Sequence, residues 1–194
     1  MKSVAVFCGS SKGRNGLYAA AAEELGRLLA LRGTTLVYGG GNIGLMGVLA
    51  RAALGAGGRV VGVIPEHLAA YEVALPEATE MRVVSSMHER KALMADLSEA
   101  FLALPGGLGT LEEFFEVWTW AQLGLHRKPL GLLDAGGFFG PLVRFLDHAV
   151  SEGFVRPVHR QLVVVDSDPE RLLCALEGYR VPDGARDIGR WIER

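Results

Sequence analysis

Along almost the whole chain, short apolar runs alternate with longer stretches whose apolar residues recur at helical spacing. The first run, "SVAVFC" (3–8), reads as a strand ending at Gly9-Ser10-Ser11. "LYAAAAEELGRLLALRG" (17–33) has the period of a helix, and Gly33 stands just past its last turn, where glycine is favoured. "TTLVYGGG" predicts a second strand, "LMGVLARAALGAG" a second helix and "RVVGVIP" (59–65) a third strand. An irregular stretch, 66–80, begins after Pro65 and contains Pro76. The alternation then resumes with a strand at "MRVVS", a helix from Ser86 to Asp96 and a strand at "AFLALP" (100–105). A helix from Thr110 to Leu123, a strand at "KPLGLLD" and a helix at "FFGPLVRFLDHAVSEG" follow, before a last strand (161–166) and a last helix (168–177).

The strand runs are continuously apolar, as expected where both faces of a sheet are covered. Their β-α-β-α order predicts an α/β, Rossmann-like doubly wound parallel sheet with helices on both faces. The 194 residues, 49% of them hydrophobic, suit a single nucleotide-binding domain over 1–180 with a polar C-terminal tail at 181–194, loosely packed or intermolecular.

In such sheets ligands sit beyond the carboxyl ends of the strands. Three strand ends carry glycine-rich loops: Gly9-Ser10-Ser11, Gly39-Gly40-Gly41-Asn42-Ile43-Gly44 and Pro105-Gly106-Gly107-Leu108-Gly109-Thr110. The last leads into a helix, whose first N–H groups lack intrahelical partners and whose dipole favours an anion. Gly106, Gly107 and Gly109 let a ligand approach the backbone, so the loop reads as a phosphate cradle with Thr110 as cap and hydroxyl donor. A plain turn capped by Thr110 is the simpler alternative. Glu112 and Glu113 would fall in that helix's first turn. On the helical wheel Glu112 shares a polar face with Glu116 and Thr119, which makes it a rim residue. Glu113 lines up with Val117 and Trp120 at the apolar margin, which makes it the better chemical candidate.

"SSMHERKALMADL" has capping-box spacing at Ser86 and Glu89. Arg90 interrupts the apolar stripe formed by Met87, Met94 and Leu97, and a guanidinium facing a core needs an anion. That anion is either an internal carboxylate or a ligand. Lys91 lies beside it and reaches the same crevice or solvent. The loop after the second strand also satisfies GxGxxG, with Glu66 after the next strand at the spacing of a dinucleotide fingerprint, so an NAD(P)-binding oxidoreductase has to be carried as an alternative. Close packing of helix on sheet would explain the same glycines.

Composition narrows the field. Net charge is −2, which gives no basic excess for a nucleic acid polymer. No apolar stretch approaches a membrane span, and the short first run has no cleavage site after it, so a cytoplasmic protein is expected. Cys8 and Cys174 read as buried free thiols, and the histidines lack metal-ligand spacing, so neither metal nor cofactor is expected. The only lysines are Lys2, Lys12, Lys91 and Lys128. None offers the arrangement of a pyridoxal Schiff base.

"YGGGNIGLMG" (38–47), "SMHERK" (86–91), "LPGGLGTLEE" (104–113) and "TWAQLGLHRKPLGLL" (119–133) together resemble the LOG family, phosphoribohydrolases that activate cytokinins and were long labelled lysine decarboxylases. The similarity runs from about residue 4 to residue 165. It implies a homodimer that hydrolyses the N-glycosidic bond of an AMP-like nucleotide, including N6-substituted ones, to free base and ribose 5-phosphate. It implies Arg90 and Glu113 as the essential catalytic pair. Lys91, Glu72 in the loop after the third strand, and Thr119 are implied as substrate contacts. Ser10, Gly40, Gly41, Met87, Gly106, Gly107, Gly109, Thr110 and Glu112 complete the expected substrate-binding set. The chain departs from the family pattern at Leu108, where an aromatic is usual, and at Glu99, where Asp is common; both bear on base preference. A non-catalytic nucleotide or cofactor carrier is the remaining alternative, since related folds include such proteins.

Overall fold

The structure is a computed structural model and describes residues 1–69 and 74–185. Seven strands form one parallel sheet: β1 (Ser3–Phe7), β2 (Thr35–Tyr38), β3 (Val60–Pro65), β4 (Glu80–Val84), β5 (Ala100–Ala103), β6 (Leu130–Leu133) and β7 (Val163–Asp166). Their spatial order is β4-β3-β2-β1-β5-β6-β7, and every neighbouring pair is parallel. The chain builds outward from β1 to β4, then returns to the other side of β1. The direction of winding therefore reverses between β1 and β5, the switch point beyond which such sheets place their ligands.

Helices α1 (Gly16–Leu31), α2 (Gly44–Gly55), α3 (Glu66–Ala69), α4 (Met87–Asp96), α5 (Leu108–Gln122), α6 (Gly140–Ser151), α7 (Pro157–Arg160) and α8 (Pro169–Glu177) connect the strands. Alternate residues of one strand serve different cores, because successive side chains point to opposite faces. Val4 and Val6 of β1 pack with α1, α2 and α8, whereas Ala5 and Phe7 pack with α4, α5 and α6. This division is the double-sided burial that the unbroken apolar runs require.

Several local signals act as the sequence suggests. Gly33 follows α1 with φ 64°, and its N–H returns to Ala30. Ser86 caps α4 by accepting from the Glu89 N–H at 3.2 Å. Glu89 reaches past the cap to Ser85, taking its N–H at 2.8 Å and its hydroxyl at 2.7 Å, which holds the carboxyl below the usual range.

Other expectations need correction. The helix expected at Thr110 begins at Leu108, capped by Gly107 in an extended conformation, so Thr110 sits inside its first turn. Glu112 and Glu113 accordingly lie beyond that turn. The two glycines read as a break because glycine disfavours helix, yet the second is helical here. Cys174 is exposed rather than buried and accepts from Arg32 at 3.2 Å. Trp118 is buried beside Phe114 and Phe115 and donates to the His159 carbonyl at 3.0 Å. Packing continues past residue 180, since Val181 and Ala185 lie against the second core.

Candidate active site

The glycine loops after β1, β2 and β5 meet above the central strands. The Gly9 N–H donates to the Pro105 carbonyl at 3.1 Å, and Leu45 of α2 donates to the Gly9 carbonyl at 2.9 Å. A side chain at Gly106 would collide with Thr110 Oγ1 at 2.1 Å, and one at Gly44 with the Ser10 carbonyl carbon at 2.2 Å. Gly44 thus meets backbone, and Gly106 meets the Thr110 side chain and then the Gly9 backbone, so neither has room for a side chain. Gly107 and Gly109 differ: a Cβ at either would meet nothing within 4 Å. Packing does not explain them, whereas open space over the first turn of α5 does. No side chain caps that turn, and its residues Leu108, Gly109 and Thr110 line a cleft of about 220 Å³.

The cleft has a charged wall opposite the backbone donors. Arg90 of α4 and Glu113 of α5 both line it, with Arg90 Nη1 3.0 Å from Glu113 Oε1. Both side chains are about one-tenth exposed, at 9% and 11%. Arg90 is held from behind as well, through Nε to the Val63 carbonyl at 3.1 Å and Nη2 to the Gly39 carbonyl at 3.5 Å. The two readings of its buried charge thus merge: the internal carboxylate that balances it is Glu113, and the pair opens onto the cleft. Cys8 lies on the floor, and burial, with the Glu113 carboxylate adding to it, pushes its thiol well up, so it stays neutral.

Other expected site residues distribute around this centre. Ser10, Gly107, Gly109 and Thr110 line the cleft. Gly106 lies one residue below it, against Thr110. Met87 Sδ stands 3.9 Å from Arg90 Nη1. Gly40 and Gly41 are engaged by the returning chain, the Gly40 carbonyl accepting from Leu75 at 3.2 Å and Gly41 bridging to Ala74. Lys91 is not in the lining. It is tied at 2.6 Å to Glu112 and 3.0 Å to Glu116, and although burial works against its charge, these carboxylates raise its pKa overall. Thr119 is exposed on α5 and donates to its own helix at Phe115. Glu72 lies outside the described residues. Sequence reasoning passed over Cys8, Met46 and Gly39 as lining residues. Cys8 adjoins a loop that was singled out and Gly39 opens another, and those positions were the available signal.

The GxGxxG loop does not behave as a dinucleotide fingerprint. The first turn of α2 packs on the β1 loop, with Gly44 against Ser10 and the Leu45 N–H taken by Gly9. Neither α2 nor α5 has a side-chain cap, but α5 gives the cleft Leu108, Gly109 and Thr110 whereas α2 gives it Met46.

The family model described as "Possible lysine decarboxylase" matches residues 46–176. A cytokinin riboside 5'-monophosphate phosphoribohydrolase of Rhodococcoides fascians is 53% identical over 180 residues, which are 90% of this chain and 89% of that protein. The cytokinin riboside 5'-monophosphate phosphoribohydrolase LOG of Oryza sativa subsp. japonica is 51% identical over 182 residues, 94% of this chain and 75% of that one. The chain belongs to the LOG family. Among solved structures, the Moco carrier protein of Chlamydomonas reinhardtii superposes with a TM-score of 0.69 at 22% identity, covering 91% of this chain and 96% of that one. The molybdenum cofactor binding protein of Rippkaea orientalis gives 0.68 at 22% identity, over 92% of this chain and 97% of that one. At such identity these two share the Rossmann-like fold alone with this LOG-family chain. The matched residues 46–176 include Arg90 and Gly106–Glu113, the segments that form the charged wall and the uncapped helix end.

Proposed function

We propose that this chain hydrolyses the N-glycosidic bond of adenosine 5'-monophosphate or an N6-substituted relative, releasing the free base and ribose 5-phosphate. The observation that carries this reading is the Arg90–Glu113 pair opening onto the same cleft as the uncapped first turn of α5. Family membership supports the substrate class.

In this reading the phosphate binds the N–H groups of Leu108, Gly109 and Thr110, with help from the Thr110 hydroxyl. Binding energy from that remote group fixes the ribose over Glu113. Breaking the C1'–N9 bond builds positive charge on the sugar, as in other glycoside hydrolysis, and the Glu113 carboxylate opposes that charge. A water oxygen bonds to C1' while one of its protons passes to Glu113 and returns to solvent. The departing base takes the bonding electron pair and a proton from water. Arg90 stays charged throughout and gives hydrogen bonds rather than protons. The cleft lining supplies no lysine among the described residues. Lys91 is held by two glutamates and Lys128 donates to the Ala95 carbonyl at 2.7 Å, which speaks against a pyridoxal decarboxylase.

Two further elements belong to the reading: a homodimer and a cytoplasmic location. Leu123 and Leu125 leave apolar surface at the end of α5. No helix of the described residues is long and apolar enough to cross a membrane.

The test is release of free base, followed by chromatography, from AMP, an N6-substituted AMP and the matching nucleosides in parallel. Turnover of the monophosphates with little from the nucleosides is expected. Equal rates on both would remove the phosphate-anchoring role of α5.

A further inference from the structure

Gly39 follows the last residue of β2, is buried and lines the cleft. Its conformation does not require glycine: unlike its neighbour Gly40, at φ 81°, it is not among the residues with positive φ. Space is what excludes a side chain. A Cβ there would lie 2.1 Å from Arg90 Nη2 and 3.3 Å from both Arg90 Cζ and Met46 Sδ. The first contact is the end of a flexible side chain, so an added methyl would be relieved by moving the guanidinium rather than the sheet. The same residue also holds the group it makes room for, because its carbonyl accepts from Nη2 at 3.5 Å. With the Val63 carbonyl on Nε and Glu113 on Nη1, all three guanidinium nitrogens are fixed from different directions.

We propose that Gly39 is a positioning residue for the reaction: its missing side chain and its carbonyl form a socket that aims Arg90 at Glu113 and the cleft. The activity arm of this proposal rests on the hydrolase reading above; the socket itself does not. The glycine is thereby separated from the nucleotide-fingerprint role that its motif suggests, since it serves a side chain from another element and not a phosphate.

The experiment is a double-substitution cycle with Gly39→Ala, Arg90→Ala and the pair, read both in turnover of AMP and in melting temperature. Small displacements of a positioned group are costly to rate, so Gly39→Ala alone should lower kcat roughly ten- to a hundredfold with KM changed by less than about threefold. In the Arg90→Ala background, where no guanidinium remains to displace, the same substitution should change residual turnover by less than about twofold, as expected when one residue acts through another. The loss of melting temperature caused by Gly39→Ala should likewise vanish in that background. Wild-type kcat in Gly39→Ala, or equal effects of the substitution in both backgrounds, overturns the socket. A wild-type protein that releases no base would instead overturn the hydrolase reading, and the cycle in melting temperature would still decide the socket. Should Gly39→Ala alone fail to fold, recovery of folding in the pair supports the proposal, and failure in the pair as well overturns it.

Discussion

Glu113 and Arg90 are nearly buried, and a buried ion pair is a poor way to gain stability, because desolvation offsets most of the attraction. Retaining one at the mouth of a cleft makes sense where the charges themselves are used. Glu113→Gln keeps the shape and removes the charge. It should reduce base release by roughly 10²–10⁴-fold, the range for loss of a positioned acid–base group, while calorimetric binding of AMP persists. Full activity in this variant would assign the chemistry elsewhere. Both residues were legible in the sequence for physical reasons: an arginine inside an apolar stripe and a glutamate at an apolar margin each need a partner. That they are each other's partner was not legible, because α4 and α5 are separated by β5 and only the sheet order brings them together.

Under the proposed function, the first turn of α5 sets stability against binding. Gly109 is helical in kind, with open space where its Cβ would be, so Gly109→Ala relieves backbone entropy at no steric cost. The substitution should raise stability by up to about 1 kcal/mol in urea unfolding. It also puts a methyl between the N–H groups and an incoming phosphate, so KM for AMP should rise. A stabilised variant with unchanged KM would remove the phosphate from this turn. The start of the helix was misread by two residues for the same reason that it is useful: glycine weakens the local helical signal, and packing of α5 on the sheet overrides it.

For the whole molecule, the exposed Leu123 and Leu125 leave one end of α5 unaccounted for in a single copy, 43% and 70% exposed. Light scattering at micromolar concentration should give twice the mass of one chain, and Leu125→Glu should shift it towards one. A wild-type mass of one chain would assign that surface to another role. Trp118 of the same helix is taken up by the core between α5 and the segment at His159.

The pattern of apolar runs determined the elements, their order and the two-sided sheet, because alternation and period are local properties of the chain. The loop glycines and the helix after them likewise marked the end of the sheet where the cleft lies, since a glycine-rich strand end leading into a helix is a local pattern. Tertiary structure alone decided which glycines serve packing and which leave a ligand room. Gly44 and Gly106 abut backbone or Thr110, Gly39 abuts a guanidinium, and Gly107 and Gly109 abut nothing within 4 Å. A missing side chain has no identity in sequence; only the neighbours folded around it say what its absence is for.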